Sequence, residues 1–472
     1  MTGTRRFDPL VTSLGLIAAI TAWRALCLAF NQLDLFMDEA QYWLWGQELA
    51  FGTYSKPPLI GWIIRAFTEV GGNSEFWIRL PGPVLYGITS VLVAYLAVAV
   101  WQTPEAAWAG AAFAMLPGVA LISLFISTDA ALLTFVALAL LALVRLSDTG
   151  GLVWAAVLGV AFGLGLMAKY AMGFTIGLAV VAWTFRWLNR PSPVEASLLA
   201  GLTLLIFAPN VWWNLQNGFI TLTHTAENAG WAGIAWNWSG VAEFLGVQLL
   251  SFGPVFAVAY LRGLVRPGPR LWSMILFSAT IFAAIAAQAL IRKANANWVA
   301  PAFIAGAVLA VPWVVLYWGR LWLGLGLAVN AILAIALPLA TVWPEAVAGL
   351  NALHRVEGVR ALSEAAIEEA QRIGTTTILA EDRRVLADLV YRTEGTEMAV
   401  LAWPVTAVAQ NHYQLTRPST DGSEGALVVL VHRVPGCMKA LEKIRDWPPE
   451  GAFRRDKPEF YRMIRPCRPS EP

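Results

Sequence analysis

The chain of 472 residues is 58% hydrophobic and only 14% charged, and its mean hydropathy is +0.60. Soluble domains carry about 45–50% apolar and about 25% charged residues. The composition therefore excludes a disordered chain, a disulfide-rich secreted scaffold and an ordinary cytosolic enzyme. The net charge of +2 is nearly balanced, which gives no support to a nucleic-acid partner. An integral membrane protein is predicted.

The charged residues divide the chain into two predicted domains. Residues 345–472 hold 17 of the 33 Lys and Arg residues and 18 of the 31 Asp and Glu residues. Residues 1–344 are correspondingly apolar. We therefore predict a transmembrane domain over 1–344, followed by a small α/β domain over 345–472, with helices at 360–373 and 382–393 and strands at 375–379, 398–403 and 426–433.

The predicted fold is mainly α: a polytopic bundle of about 11 membrane-spanning helices. A span needs about 20 apolar residues. A segment of about 50 residues, 31–80, separates the first two spans, and it contains amphipathic stretches at 38–49 and 58–70 that are expected to lie on the membrane interface. The predicted spans are 10–30, 81–101, 104–122, 129–146, 151–168, 171–188, 195–213, 241–262, 271–291, 297–318 and 321–343.

The distribution of Lys and Arg predicts the orientation of the chain. Arg5 and Arg6 precede the first span, and placing them in the cytoplasm puts most short basic loops on the same side. Residues 31–80 and 345–472 then lie outside, in a periplasm-like compartment. Cys437 and Cys467 would share that oxidising side, so the two residues form either a disulfide or two free thiols. Cys27 is interpreted as a packing residue.

Several polar groups fall on this outer face, and each of them has a structural alternative. Asp38 and Glu39 are candidate catalytic acids or a helix cap with a first-turn acid. Lys56, in YSKPPL, is a candidate phosphate ligand or a lysine that snorkels to the interface. Asp129, in STDAALL, is a second candidate catalytic acid or an N-terminal helix cap.

Further candidates lie in the later outer segments. Lys169 and Tyr170 are candidate substrate-binding residues or an interfacial anchor. His224 is a candidate metal ligand, a phosphate contact when protonated, or a plain hydrogen-bonding residue. Arg292 and Lys293 depart from the positive-inside trend and indicate an anionic partner or snorkelling side chains.

Carboxylates and cations on one outer face suit a reaction with an anionic lipid-linked donor. The sequence has no P-loop, Rossmann glycine pattern, HExxH or GxSxG motif. A transporter or flippase would favour charges near the bilayer midplane and paired broken helices. A non-catalytic scaffold would leave the 50-residue outer segment without a role.

The strings MDEAQYWLWGQEL, YSKPPLIGWIIRAF and IRLPG resemble the first outer loop of the GT-C glycosyltransferases that use polyprenyl-phosphate sugars. The resemblance continues through STDAALL, AKYAMGF, NVWWNLQNGF and ANWVAPAF, and through ILAEDRRVLADLVYRT and NHYQL in the tail. Relatives include the protein O-mannosyltransferases, the lipid A aminoarabinose transferase and bacterial transferases that act on lipopolysaccharide.

The resemblance implies roles for individual residues. The first acid of the DE pair, Asp38, is the expected catalytic base, and Lys56 is the expected donor-phosphate ligand, with Arg292 and Lys293 as further candidates. Tyr54, beside Lys56, joins the expected substrate-binding residues. An acid that helps to hold a metal in the aminoarabinose transferase is replaced here by Ser55, so a divalent cation stays an open question.

The expected reaction is an inverting sugar transfer from a polyprenyl phosphate to an acceptor hydroxyl. Asp38 would take the hydroxyl proton, with partial burial strengthening it as a base. Lys56 would balance the charge of the leaving phosphate. The expected partners are the donor, a lipid or glycan acceptor and membrane lipids, at the periplasmic side of a bacterial inner membrane. A protein acceptor is the alternative.

Overall fold

A computed structural model describes residues 8–229, 236–265, 271–292, 294–350, 353–404, 409–419, 421–434 and 436–467. The predictions for Arg5, Arg6 and Lys293 concern residues outside these ranges. The chain forms two compact units, which we call the membrane unit (Met1–Phe30 and Leu49–Thr341) and the C-terminal unit (Asn31–Glu48 and Val342–Pro472). Residues 31–48, which the sequence grouped with the membrane domain, thus belong to the second unit.

The membrane unit is helical. Seven helices within the described residues are long and apolar enough to cross a membrane, or eight if one bent pair is a single span. The count of eleven spans therefore stays a prediction. The long helices are α1 (Pro9–Ala29), α5 (Pro81–Trp101), α8 (Thr128–Thr149), α11 (Pro193–Gln216), α15 (Trp272–Ile291) and α17 (Arg320–Val342). The seventh apolar segment, Ala296–Trp318, contains α16 (Ala300–Trp313). The shorter ones are α3 (Leu59–Gly71), α4 (Glu75–Arg79), α6 (Trp108–Met115), α7 (Pro117–Ile122), α9 (Leu152–Ala168), α10 (Met172–Thr184), α12 (Ile220–Ala229), α13 (Trp238–Phe252) and α14 (Pro254–Val265).

The predicted span at 104–122 is broken in the structure. Helix α6 ends at Met115 and α7 begins at Pro117, because proline has no amide hydrogen to continue the helical hydrogen bonds. The Arg24 guanidinium, buried on α1, donates a 2.6 Å hydrogen bond to the Ala114 carbonyl. A charge within the first apolar helix thus satisfies a carbonyl that the break leaves unpaired.

The predicted span at 241–262 is also divided, and α13 and α14 meet at an angle of 108°. Gly253 lies between them with φ +80°, a conformation that favours glycine. A Cβ at this position would lie 2.1 Å from the Asn330 side chain. The bend therefore depends on both the backbone freedom and the small size of glycine, followed by Pro254.

Helix α8 lies at the centre of the membrane unit and packs against α5, α9 and α16. Most of its apolar residues are buried. The Thr89 and Thr134 hydroxyls share a 2.9 Å hydrogen bond between α5 and α8, which satisfies two polar groups inside the bundle. This packing fixes the first turn of α8, which carries Asp129.

The C-terminal unit is an α/β domain with a five-stranded sheet in the order β2-β1-β3-β5-β4. Strand β1 pairs in parallel with β2 and β3, while β5 pairs antiparallel with β3 and β4. The sequence predicted β1, β2, β3 and both large helices but not β4 or β5. The elements are α18 (Val359–Ile373), β1 (Thr377–Ala380), α19 (Arg383–Arg392), β2 (Ala399–Ala402), α20 (His412–Thr416), β3 (Leu427–Leu430), β4 (Leu441–Asp446) and β5 (Glu459–Met463).

Residues 31–48 are anchored to this unit by a helix cap. The Asp34 carboxylate accepts hydrogen bonds of 2.9 and 3.1 Å from the amides of Val359 and Arg360, at the start of α18, where a negative charge is favourable. Helix α2 (Met37–Gln47) then packs on α19. The buried Trp43 ring meets the Tyr391 ring edge-on, with centroids 5.0 Å apart.

Cys437 and Cys467 form a disulfide in this unit, with their Cα atoms 5.8 Å apart, and Cys27 is a buried free cysteine. The bridge closes a loop with a sequence separation of 30 residues, for which chain entropy alone gives about 3–4 kcal/mol. We expect Cys437→Ala/Cys467→Ala protein to unfold at a lower temperature than the unaltered protein in the same detergent. Cys27→Ala is the control, and equal unfolding temperatures in all three proteins would contradict this expectation.

Candidate active site

Asp38 lies in the first turn of α2, and its carboxylate is bound by a single guanidinium. Arg383 Nη2 lies 2.5 Å from Asp38 Oδ1, and Arg383 Nε donates a 3.0 Å hydrogen bond to Gln41 Oε1. The Asp38 side chain is 39% exposed. The structure thus orients this partly buried carboxylate through a cation.

Arg383 owes its position to the end of a parallel strand. It is the first residue of α19 and follows β1 by two acidic residues, Glu381 and Asp382. The Asp382 carboxylate caps α19 by accepting a 2.7 Å hydrogen bond from the Arg384 amide. Loops at the carboxyl ends of parallel strands are the usual place for binding sites in α/β sheets. The position of ILAEDRR at the end of a parallel strand therefore explains how it contributes a site residue.

Glu39 takes the structural role that the sequence left open. It is 1% exposed, and its carboxylate accepts a 3.0 Å hydrogen bond from the Phe36 amide at the start of α2. This contact satisfies a helix-terminal amide and places a negative charge at the positive end of the helix. We therefore leave Glu39 out of the catalytic proposal.

His412 and Tyr413 begin helix α20 beside the Asp38 pair. The His412 ring meets the Trp45 ring of α2 edge-on at 5.9 Å. Burial, followed by the charges of Arg383 and Arg417, lowers the pKa of His412 to about 4. Burial also raises the pKa of the Tyr413 hydroxyl well above its usual value. Both side chains are therefore neutral at physiological pH.

The depressed pKa of His412 gives a testable pH dependence. In the folded protein the ring takes up a proton near pH 4, whereas in the unfolded chain it does so near pH 6.5. The unfolded state therefore binds more protons between these values, and the unfolding free energy falls by up to about 3 kcal/mol as the pH drops from 6.5 toward 4.

Histidine-selective ¹⁵N labelling of the detergent-solubilised protein should show this directly, because the chain has only four histidines. We expect one resonance, assigned by its loss in His412→Gln protein, to titrate near pH 4. Titration of that resonance near pH 6.5 would contradict the buried environment.

A second cluster lies in the membrane unit around Asp129. Its two carboxylate oxygens are bound separately: Lys169 Nζ lies 2.7 Å from Oδ1, and Asn297 Nδ2 donates a 2.7 Å hydrogen bond to Oδ2. Asp129 is 4% exposed and the Lys169 side chain 19%. A carboxylate whose two oxygens are bound by separate donors is held in one orientation. The structure therefore brings Asp129 and Lys169 together. Neither STDAALL nor AKYAMGF by itself predicts this contact.

Tyr170 connects this pair to helix α11. Its hydroxyl donates a 2.9 Å hydrogen bond to Asn210 Oδ1 and accepts a 3.1 Å hydrogen bond from Asn214 Nδ2. Asn210 Nδ2 in turn donates a 2.7 Å hydrogen bond to the Phe51 carbonyl. The network joins the end of α9, the C-terminal third of α11 and the segment that leads to Lys56.

The loop that carries Lys56 is tied down along its length. Thr53 donates a 2.7 Å hydrogen bond to the Lys56 carbonyl, and Thr221 of α12 donates a 2.6 Å hydrogen bond to the Thr53 carbonyl. A Cβ at Gly52 would lie 2.1 Å from the Trp213 ring, so glycine is required for the close approach of this loop to α11. The Tyr54 and His224 rings meet edge-on at 5.1 Å.

Most of the predicted membrane-unit residues therefore belong to one continuous network. It runs from Asp129 and Lys169 through Tyr170 and Asn210 to the loop of Tyr54 and Lys56. Arg292 follows the C-terminus of α15, five residues before Asn297. Convergence of Asp38 on this network stays a prediction.

Sequence reasoning missed the residues that hold the candidates in place. Arg383, His412 and the asparagines Asn210, Asn214 and Asn297 all occur in strings that resembled the family, yet none was assigned a role. The usable signal was an asparagine in an otherwise apolar helix or at its end, because an amide at membrane depth needs a partner.

The described part of the chain contains no group of side chains suited to bind a metal ion. Nowhere in those ranges do three or more His, Cys, Asp or Glu side chains stand together as metal ligands. Ser55, the residue before Lys56, is buried. The described residues thus give no support to a divalent cation, which the sequence left open, and no catalytic step is assigned to one.

Comparison with known proteins identifies relatives of this chain. Residues 55–213 match the family model of the dolichyl-phosphate-mannose-protein mannosyltransferases. The lipid A galacturonosyltransferase RgtD of Rhizobium johnstonii is 32% identical over 468 residues, which cover 97% of this chain and 98% of RgtD.

Solved structures of ArnT from Cupriavidus metallidurans have the same fold. The apo structure and the structure bound to undecaprenyl phosphate match with TM-scores of 0.64 and 0.65 at 13% identity, and they cover 94% and 95% of this chain and 96% and 97% of theirs. The protein is a multi-pass membrane protein. It is a glycosyltransferase that belongs to the GT-C family of polyprenyl-phosphate-sugar-dependent enzymes.

Proposed function

We propose that this enzyme transfers a galacturonosyl residue from a polyprenyl phosphate to a hydroxyl of lipid A, with inversion at the anomeric carbon. The observation that carries the proposal is the Arg383-bound carboxylate of Asp38 in a chain that aligns with a lipid A galacturonosyltransferase over almost its full length. The full-length relative favours a lipid acceptor over a protein acceptor, since the mannosyltransferase model matches only residues 55–213.

Asp38 is the proposed general base. It takes the proton of the acceptor hydroxyl as that oxygen attacks the anomeric carbon, and the bond from this carbon to the phosphate oxygen breaks. The paired Arg383 keeps the carboxylate in one orientation, which is the condition for efficient proton transfer. Polyprenyl phosphate leaves as an anion and needs no proton.

Lys56 is the proposed ligand of the leaving phosphate. The hydrogen bonds through Thr53 and Thr221 hold its loop in place before substrate arrives, so little reorganisation is needed as negative charge develops. Lys169 is bound to Asp129, and we assign this pair to positioning. Tyr54, Tyr170 and His224 are proposed to line the route of the sugar or phosphate.

Two observations support a periplasmic site in the bacterial inner membrane. The C-terminal unit holds a disulfide, which is typical of an oxidising compartment, and the Lys and Arg distribution favours the same orientation. A C-terminal alkaline phosphatase fusion should be active, and a fusion to a cytoplasm-dependent fluorescent protein should be dark. The reverse pattern would place the unit in the cytoplasm.

The proposed function is tested by two measurements. Mass spectrometry of lipid A from a strain that lacks the gene should show the loss of one uronosyl residue, and complementation should restore it. Purified enzyme given polyprenyl-phosphate galacturonic acid and lipid A should release free polyprenyl phosphate in equal amount to the sugar transferred. Release without transfer, or flipping of the donor without release, would overturn the proposal.

Lys56→Met provides a sharper test of the phosphate contact. We expect kcat to fall about 100-fold, because the lost charge stabilises the breaking bond, and Lys56→Arg to retain more activity than Lys56→Met. Lys439→Met, an exposed lysine of the C-terminal unit, is the control with the same chemical change. Steady-state transfer kinetics at saturating acceptor measure all three. A Lys56→Met rate within threefold of the unaltered enzyme would remove Lys56 from the role.

A further inference from the structure

The C-terminal unit contains a cavity that the catalytic proposal does not use. It has a volume of about 450 Å³, which is within the range of small-molecule sites and large enough for a sugar residue. Its charged lining is strongly basic, with four arginines and one aspartate: Arg355, Arg384, Arg454, Arg455 and Asp456.

One of these arginines, Arg384, is held in place in the cavity wall by neighbouring side chains. The Arg384 guanidinium lies over the Phe453 ring at 4.6 Å and pairs with Asp382 at 2.7 Å and Asp456 at 2.9 Å. Its charge is therefore balanced by the protein. The surplus positive charge comes from Arg355 and Arg455, whose side chains are exposed.

The cavity adjoins the start of the helix that carries Asp38. Phe36 and Met37, the two residues before Asp38, form part of its wall. The Asp34 cap and the packing of α2 on α19 hold this segment in the C-terminal unit. A ligand in the cavity would therefore contact residues that are adjacent in sequence to Asp38, the proposed catalytic base.

We propose that this cavity binds a phosphate group on the saccharide of the acceptor lipid. Planar guanidiniums bind phosphate through paired hydrogen bonds. Arg355 and Arg455 add positive charge to a concave site in which Asp456 already pairs with Arg384. This inference rests on the proposed function, because it makes the cavity the acceptor subsite of the same transferase. The apolar wall of Phe36 and Met37 would pack against the sugar ring.

The test compares two paired variants of the full protein in phosphatidylcholine nanodiscs. Arg355→Gln/Arg455→Gln removes two charges from the cavity. Arg433→Gln/Arg462→Gln removes two charges from exposed positions of the same unit that do not line it. Binding of lipid A that carries its phosphates, and of the same lipid A after phosphatase treatment, is measured for each protein.

We expect the cavity variant to bind phosphorylated lipid A about 10-fold more weakly, which is equivalent to about 1.4 kcal/mol. The control variant should bind within twofold of the unaltered protein. Dephosphorylated lipid A should bind more weakly to the unaltered protein and should show no further loss in the cavity variant. In transfer assays the KM for acceptor should rise while kcat and the KM for donor stay unchanged.

Several outcomes would overturn the inference. Equal loss of binding in the control variant would indicate general electrostatic attraction, and equal loss for dephosphorylated lipid would remove the anion from the interaction. A rise in the donor KM alone would assign the cavity to a carboxylate on the donor sugar. If the unaltered enzyme transfers no sugar, the proposed function fails. The binding measurements would still show whether the cavity binds phosphorylated lipid A.

Discussion

Asp38→Asn protein is expected to transfer sugar about 1000-fold more slowly than the unaltered enzyme at saturating donor and acceptor. The amide has nearly the shape of the carboxylate but cannot accept the acceptor proton, and loss of a general base typically costs 10²–10⁴-fold in rate. Binding of the donor should change little. The amount of polyprenyl phosphate released over time measures the rate, and a circular dichroism spectrum confirms that the variant is folded.

Two further variants separate proton transfer from structural support. Arg383→Gln keeps Asp38 ionisable but removes its 2.5 Å partner, so we expect a loss of about 10–100-fold from poorer orientation, partly recovered in Arg383→Lys. Asp446→Asn, an exposed aspartate on β4, is the matched control. If Asp38→Asn stays within a few-fold of the unaltered rate, another group must act as the base.

Removal of one member of the Asp129–Lys169 pair is expected to have the second largest effect. Asp129 is buried with Lys169 Nζ at 2.7 Å, so Lys169→Met leaves a carboxylate in the helical bundle with only the Asn297 amide. Breaking a buried pair in this way typically costs about 3–5 kcal/mol. We expect a marked drop in the unfolding temperature in detergent together with loss of transfer.

The double variant Asp129→Leu/Lys169→Met tests what the pair does. It removes both charges, so most of the stability should return, but transfer should not if the pair positions substrate. The exposed pair of Arg65 and Glu69 on α3 is the control, because neutralising both should change stability by less than about 1 kcal/mol. Full recovery of transfer in the double variant would make the Asp129 pair purely structural.

The first outer segment is divided between the two units, which the sequence alone did not predict. The amphipathic stretches at 38–49 and 58–70 form helices α2 and α3 close to their predicted bounds. The sequence had no signal that α2 belongs to the C-terminal unit, because the contacts that hold it there join residues more than 300 positions apart, such as Asp34 to Val359. Hydrophobic periodicity indicates which face is buried but not against which partner.

The same limit applied to the candidate residues. Asp38, Lys56 and Asp129 were selected by residue type, side of the membrane and resemblance, and those properties are local. Arg383 was passed over because an arginine after a strand in a charged domain has nothing unusual about it. Only the packing of α2 on α19 makes it the partner of Asp38.

The amino-acid sequence by itself determined the membrane-embedded helical body, the α/β tail and the family, since apolar length, charge density and short motifs are properties of contiguous residues. The tertiary structure decided which carboxylates are paired, which acid is a helix cap, where two predicted spans break and where the basic cavity lies. Each of these depends on distance and burial between residues far apart in the chain, and such contacts are created only when helices and sheet pack together.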